Sequence, residues 1–409
     1  MQTRRKFLQT TLGGSMLLST GLSAPAFLAR AAHAAQGASG EKVLIVVQLS
    51  GGNDGLNTVV PYADEAYEKN RIVLRIPKDQ VLKIDSQVGL HPQMTGFRKL
   101  IESGRLAIAQ GVGYPNPDRS HFRSMDIWHT ARPEVEDKRD GWLGRCLDCS
   151  AGAAGGDVPA LHLGPSPSPL ALASLKTAVP SIESLESFRL RADGGALPLP
   201  SLSKLAEAAR PDAPELLELM RHSALYAYAS SQEVQQVLKQ EKEASPYPAF
   251  ALAQKLKQIA QLIDAGLKTR IYYVSHDGFD THANQLGGHA ALLGELSASV
   301  SAFVEDLAQR GQLDRVLVLC FSEFGRRVRE NASQGTDHGT AAPVFLAGAG
   351  VQPGVIGSQP SLTDLDGEGD LKFHTDFRRL YATLLESWLR CSSEAVLGKK
   401  FEPLGIFKA

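Results

Sequence analysis

His276-Asp277-Gly278-Phe279-Asp280-Thr281-His282 packs two histidines and two aspartates into seven residues, in a chain with 11 histidines among 409 residues. Carboxylates and imidazoles without thiolates are a donor set for Zn, Mn, Fe or Mg. The same residue types recur in short runs elsewhere: Asn53, Asp54 and Asn57 in SGGNDGLNT; Asp118, Arg119, Ser120, His121 and Ser124 in NPDRSHFRS; Glu323 and Arg326 in SEFGRR; Asp337 and His338 in QGTDHGT. Singly, each has a plainer reading. Asn-Asp-Gly makes tight turns readily, Glu323 beside an N-capping Ser322 suits a helix start, and Asp337-His338-Gly339 is another turn. Gathered in space, the same residues acquire a chemistry. Metal ions held by carboxylates and histidines stabilise both the attacking and the leaving oxygen of a displacement. A serine beside them can be activated as a nucleophile, and an arginine can clamp an oxyanion bidentately.

The elements around these runs predict that gathering. VLIVVQL (43–49), GRLAIAQGVGY (near 105–112), RIYYVS (270–275), RVLVLCFS (315–322) and APVFLAG (342–348) are continuous apolar runs, the pattern of strands buried on both faces. Amphipathic helical patterns lie between them: PQMTGFRKLIESG, ALAQKLKQIAQLIDAG and GHAALLGELSASVSAFVEDLAQRG, with FRRLYATLLESWLR closing the chain. Strands alternating with helices predict an α/β fold, a mainly parallel, doubly wound sheet flanked by helices. Ligands of such sheets bind beyond the carboxyl ends of the strands. Four of the polar runs follow strands, and the Asp337-His338 run stands just before the fifth. The stretch from about 150 to 215, rich in Gly, Ala, Pro and Ser, reads as a cap-like excursion from a single domain spanning 41–409.

The first 34 residues have another purpose. Arg4-Arg5, an uncharged stretch from Phe7 to Ala29 and the ending Ala32-His33-Ala34 have the layout of a twin-arginine export signal cleaved after Ala34. Such a leader predicts a periplasmic or secreted protein exported already folded, often with a metal or cofactor loaded first. Without the leader's four cations (Arg4, Arg5, Lys6, Arg30) and no acids, the net charge of -1 becomes about -5. A mildly acidic chain with no basic block offers no footprint for nucleic acid. No second long apolar run follows, so the mature chain is not expected to span a membrane. Cys146 and Cys149 form a C-x-x-C, read as a local disulfide or two inert thiols rather than a redox catalyst, and Cys320 lies in an apolar run as a core residue.

QLSGGNDGLNTVVPY, GLHP, NPDRSHFRSMDIWHTA, GFDTHANQ, FSEFGRR, DHGTAAPVF and TDFRRLYATLLESWL, with the twin-arginine start, resemble the secreted bacterial domain-of-unknown-function family 1501, within the alkaline-phosphatase-like and sulfatase-like superfamily. The resemblance covers nearly all of the mature chain. It implies that Ser120 is the nucleophile and that one or two divalent ions are held by Asp54, Asp280, His282, Glu323 and His338, with Asp277 competing for the place of Asp280. The superfamily pattern has an adjacent Asp-His pair where this chain has Glu323 with no histidine beside it; His121 is the candidate for the missing imidazole. Arg326, with Arg119 and His91, is the candidate to contact an anionic ligand. The implied activity is an exported metal-dependent hydrolase of phosphate or sulfate esters. SHFRS lacks the proline of a formylglycine-type C/S-x-P-x-R motif, which disfavours that sulfatase subclass. The departure at Glu323 keeps a second reading open, a non-catalytic binding or assembly protein that retains the fold and one metal. The resemblance also implies a secreted protein partner encoded nearby.

Overall fold

A computed structural model describes residues 40–135, 138–150, 159–165, 167–177, 179–183, 191–192, 195–196, 247–267 and 269–408. The expected leader and most of the expected cap lie outside them. Nine strands form the central sheet: β1 Val43–Ser50, β2 Leu106–Gly113, β3 Ala160–Leu163, β4 Ser181–Ile182, β5 Ile271–Asp277, β6 Val316–Ser322, β7 Ala342–Gly348, β8 Gly354–Ile356 and β9 Thr375–Asp376. Their order is β8-β2-β7-β6-β1-β5-β3-β4, with β9 also paired to β2.

β1 lies mid-sheet because it can be buried from both sides. Val43, Ile45, Val47 and Leu49 enter one core cluster, while Leu44 and Val46 enter the other. It pairs in parallel with β5, Leu44 opposite Ile271 through Ser50 opposite Asp277, and with β6, Val43 opposite Val316 through Leu49 opposite Ser322. These registers bring the three strand ends out side by side. On one face lie helices α1 (Thr95–Glu102), α4 (Ala251–Asp264) and α5 (Gln285–Gln309), contributing Phe97, Leu256, Ile259, Leu293, Leu296 and Val300. On the other lie α2 (His121–Thr130), α3 (Trp142–Ser150), α6 (Phe377–Thr383) and α7 (Ser393–Leu397), contributing Ile127, Trp128, Trp142, Phe377 and Tyr381. Helices on both faces of a mainly parallel sheet are the expected architecture, and no helix among the described residues is long and apolar enough to cross a membrane.

Two details differ from the sequence reading. β7 runs antiparallel to both neighbours, β6 and β2, so the sheet is mixed. Its beginning therefore lies at the edge where β1, β5 and β6 end, and a run that precedes β7 joins runs that follow the others. Second, part of the stretch read as a cap extends the sheet: β3 pairs in parallel with β5, and β4 with β3. At four and two residues, next to Pro159 and Pro180, these strands are too short to carry a periodic signal.

Candidate metal centre

The loop after β1 begins with Gly51 and Gly52, at φ 119° and 80°. A Cβ on Gly51 would collide with the backbone of Phe279 and Asp280, so glycine lets the β1 and β5 loops pass in contact. The Phe279 amide donates to the Ser50 carbonyl at 3.1 Å, and the Phe279 ring is fully buried. That anchor turns the next residues, Asp280 and His282, outward. The four polar residues of the seven-residue run therefore separate. His276 is buried under α5, its Nε2 donating to the Leu292 carbonyl at 3.2 Å, and Asp277 is exposed.

Three imidazoles converge on Asp280. His121, the first residue of α2, places Nε2 3.4 Å from Asp280 Oδ2. His338, in the loop before β7, places Nε2 3.1 Å from Oδ1, and His282 places its Nε2 3.0 Å from the same oxygen. The His282 and His338 Nε2 atoms are 2.9 Å apart. Each ring is fixed from behind through Nδ1. His338 Nδ1–H donates to the Arg119 carbonyl at 2.7 Å, His121 Nδ1–H to Glu323 Oε1 at 2.9 Å, and His282 Nδ1–H to Asp337 Oδ1 at 3.4 Å. Carbonyls and carboxylates accept, so those hydrogen bonds put each neutral ring's proton on Nδ1 and leave a lone pair on Nε2. In that tautomer three lone pairs and a carboxylate face one another; with its proton on Nε2 instead, His338 donates to Asp280 Oδ1 at 3.1 Å. His121 Nε2 is buried and takes no hydrogen bond. Such a convergence of acceptors is satisfied by a cation. The ligand atoms of His121, Asp280 and His338 all lie within 4.8 Å of one another, the one such group among the described residues, and His282 adjoins it. Imidazole nitrogens backed by oxygen acceptors through their other nitrogen are the usual arrangement around a bound metal.

Packing and charge hold the group in place. The Phe324 ring stacks near His121 and His338, centroids 5.0 and 4.7 Å away. Partial burial pushes the Asp280 carboxyl up, but the Arg326 hydrogen bond at 2.7 Å and the contacts with His338 and His121 outweigh it and hold it at about 2. The hydrogen bond to Glu323 raises His121 above the usual histidine value, whereas burial lowers His338. About half of the Asp280 side chain remains exposed, so the group opens to solvent.

The remaining expected residues occupy different surroundings. Asp54 is fully buried in an ion pair with Arg71, at 2.5 Å from Nη1 and 3.0 Å from Nη2, and Gln285 Nε2 donates to it at 2.5 Å. Burial raises its carboxyl, but Arg71 more than offsets that and its value is lowered. Both oxygens are thus occupied away from the His121–Asp280–His338 group. Glu323 also stands behind the group: Oε1 accepts from the Gly51 amide at 2.8 Å as well as from His121, and Oε2 accepts from Ser322 Oγ at 2.9 Å. Arg326 is buried and donates to the carbonyls of Gly52 (2.7 Å), Thr336 (2.7 Å), Phe279 (3.1 Å) and Gly51 besides Asp280. It ties three loops together. Arg119 is engaged with Asp370, and His91 is buried. Ser120 is the exposed N-cap residue of α2, next to His121, and its side chain makes no capping bond. Phe324 was not singled out by sequence, and Asp337 was noted only as a polar residue beside His338; their backing part depends on loops that meet only in the fold. The runs Thr-Asp-His-Gly and Ser-Glu-Phe-Gly were the available signal.

The α/β fold thus presents an open group of three histidines and an aspartate, residue types that could hold a divalent cation. The chain belongs to the family of proteins of unknown function DUF1501, whose model matches residues 41–397. A search of curated proteins returns no match. Among solved structures it is similar to the C-terminal periplasmic domain of EcEptC from Escherichia coli in complex with Zn, at 8% identity over 76% of this chain and 73% of that one, TM-score 0.38. It is also similar to the phosphonate monoester hydrolase of Agrobacterium radiobacter, at 8% identity over 88% and 78%, TM-score 0.38. The lipoteichoic acid synthase LtaP from Listeria monocytogenes matches at 10% identity over 78% and 68%, TM-score 0.34.

Proposed function

We propose that this protein binds one divalent metal ion through His121, Asp280, His282 and His338 and hydrolyses phosphate or sulfate esters with Ser120 as nucleophile. The observation that carries the reading is the convergence of three imidazole Nε2 atoms on Asp280, each imidazole backed through Nδ1. Three nitrogens and a carboxylate suit Zn, Mn or Fe better than Mg, which prefers oxygen. When bound, the ion would supply Lewis-acid stabilisation of charge developing on the ester oxygens.

The chain's own residues have separable duties. Asp280, with its carboxyl held near 2, stays ionised at neutral pH. Glu323, Asp337 and the Arg119 carbonyl fix the ring orientations. Ser120 Oγ, exposed at the N-terminus of the ten-residue α2, stands where helix amides favour an anionic group. Its attack on phosphorus or sulfur would form a covalent ester and expel the substrate alkoxide, and water would then release Ser120. The twin-arginine leader supports export of the folded chain to the periplasm or beyond.

A second reading has its own support. Four protein donors can complete a tetrahedral shell, as in structural sites, whereas catalytic sites usually keep a position open. In that case the protein binds or assembles without turnover. Purified mature protein assayed on aryl phosphate, phosphodiester and sulfate ester panels separates the two. Metal-dependent turnover abolished by Ser120→Ala supports the hydrolase; tightly held metal with no turnover on any ester supports the second reading.

A further inference from the structure

We propose that Cys149 and Cys391 form a reversible disulfide that fastens α3 to the C-terminal segment, with Cys146 kept as a thiol beside it. The observation is a cluster of three cysteines from two distant parts of the chain. Cys146 and Cys149, three residues apart on α3, lie on one face of that helix. Cys391 arrives after a π-helical turn, Leu384–Leu389, and after Arg390, which takes the left-handed conformation at φ 55° and ψ 46°. That reversal, held by the Cys391 amide donating to the Leu385 carbonyl at 2.8 Å, carries Cys391 onto α3. Its Sγ donates to the Cys146 carbonyl at 3.9 Å, which points along α3 toward the turn that carries Cys149.

Exposure assigns the roles. Cys146 is 2% exposed and Cys391 7%, whereas Cys149 opens to solvent. Only Cys149 is readily reached by an external oxidant. The neighbouring thiol of Cys146, then that of Cys149, and the nearby Arg270 charge lower Cys391 against the effect of burial, which eases its deprotonation. The hydrogen bond with Cys391, then burial, pushes the Cys146 thiol up. The fourth cysteine, Cys320, lies in the core strand β6 and takes no part. The cluster is at the opposite end of β5 from the metal centre, since Arg270, just before β5, donates to the Leu389 carbonyl at 2.6 Å.

The oxidant is an external disulfide, RSSR, such as oxidised glutathione or a protein disulfide. Cys149, losing its proton, attacks RSSR, forms a mixed disulfide and releases RS⁻. The Cys391 thiolate then attacks Cys149 Sγ and releases the second RS⁻. The protein's two thiols are oxidised, RSSR is reduced, and two RSH result.

The test is peptide mapping of the full mature protein after incubation with oxidised glutathione and alkylation in denaturant. The expected result is a Cys149–Cys391 crosslink removed by dithiothreitol, with Cys146 and Cys320 alkylated. Oxidised protein should also melt above reduced protein, with the difference kept in Cys146→Ala and lost in Cys149→Ser, whose exposed position tolerates the change. Any other pairing, a glutathione adduct on Cys149 beside an alkylated Cys391, or alkylation of all four cysteines overturns the proposal.

Discussion

Removing the Asp54 carboxylate should damage stability and leave metal binding alone. Asp54→Ala strips a fully buried ion pair of its anion, and Arg71 remains with hydrogen bonds only to the carbonyls of Val328 (2.7 Å) and Arg327 (2.8 Å). A guanidinium cannot shed its proton to escape the loss. Breaking such a pair from one side costs roughly 3–5 kcal/mol. With an unfolding entropy of about 2.1 cal/mol/K per residue over roughly 370 residues, that corresponds to a fall in melting temperature of about 4–6 °C. The measurement is thermal and denaturant unfolding in chelator, so that no part of the loss comes from released metal, followed by metal analysis of the refilled variant well below its melting point. The pH dependence adds a check. A carboxylate whose folded value is depressed contributes stability that is present above its unfolded value, near 3.9, and lost as pH falls through the lower folded value. The gap between wild type and variant should therefore be full at neutral pH and narrow in acid below about pH 4. A folded Asp54→Ala protein of unchanged stability that has lost its metal would refute this and return Asp54 to the ligand set.

Three further outcomes follow from the site. Glu323→Gln weakens the acceptor behind His121 and should lower Zn affinity by roughly 10–100-fold in competition titrations. Because Glu323 raises His121, the same change should move proton competition for that ring to lower pH, read from affinity measured across pH 5–8 as an order-of-magnitude window around the histidine range. Ser120→Ala should abolish ester turnover with metal content unchanged and stability altered by no more than about 0.5 kcal/mol, since its side chain makes no capping bond. Arg326→Met should fail to accumulate as soluble protein, because it strands the carbonyls of Gly51, Gly52 and Thr336 at about 1–3 kcal/mol each where buried, and solubility after expression checks it.

The sheet was legible because β1, β5 and β6 are buried on both faces and so consist of unbroken apolar runs. The run at 342–348 was equally legible as a strand, yet nothing in its composition reports direction; β7 is antiparallel because of how its ends connect. The grouping of Asp280, His282 and His338 could be read from residue type and from position at strand ends. His121 differs, since its place depends on where α2 begins. Asp54 and Arg326 mark the limit of reading by type. A carboxylate in a loop after β1 looks the same in sequence whether it faces a metal or Arg71, and Arg71 is a partner that only the folded chain supplies. Glu323 likewise looks like a ligand until its two oxygens are seen to be shared among Gly51, His121 and Ser322.

The central claim is that the three imidazoles and Asp280 hold one divalent ion. Metal analysis of the protein, purified without added metal, beside His121→Ala, Asp280→Ala and His338→Ala, tests it most directly. The account predicts about one equivalent of Zn, Mn or Fe in the wild type, sharply reduced in all three variants while Asp54→Ala keeps it. A wild type that takes up no metal even after reloading, or variants with undiminished content, would contradict it.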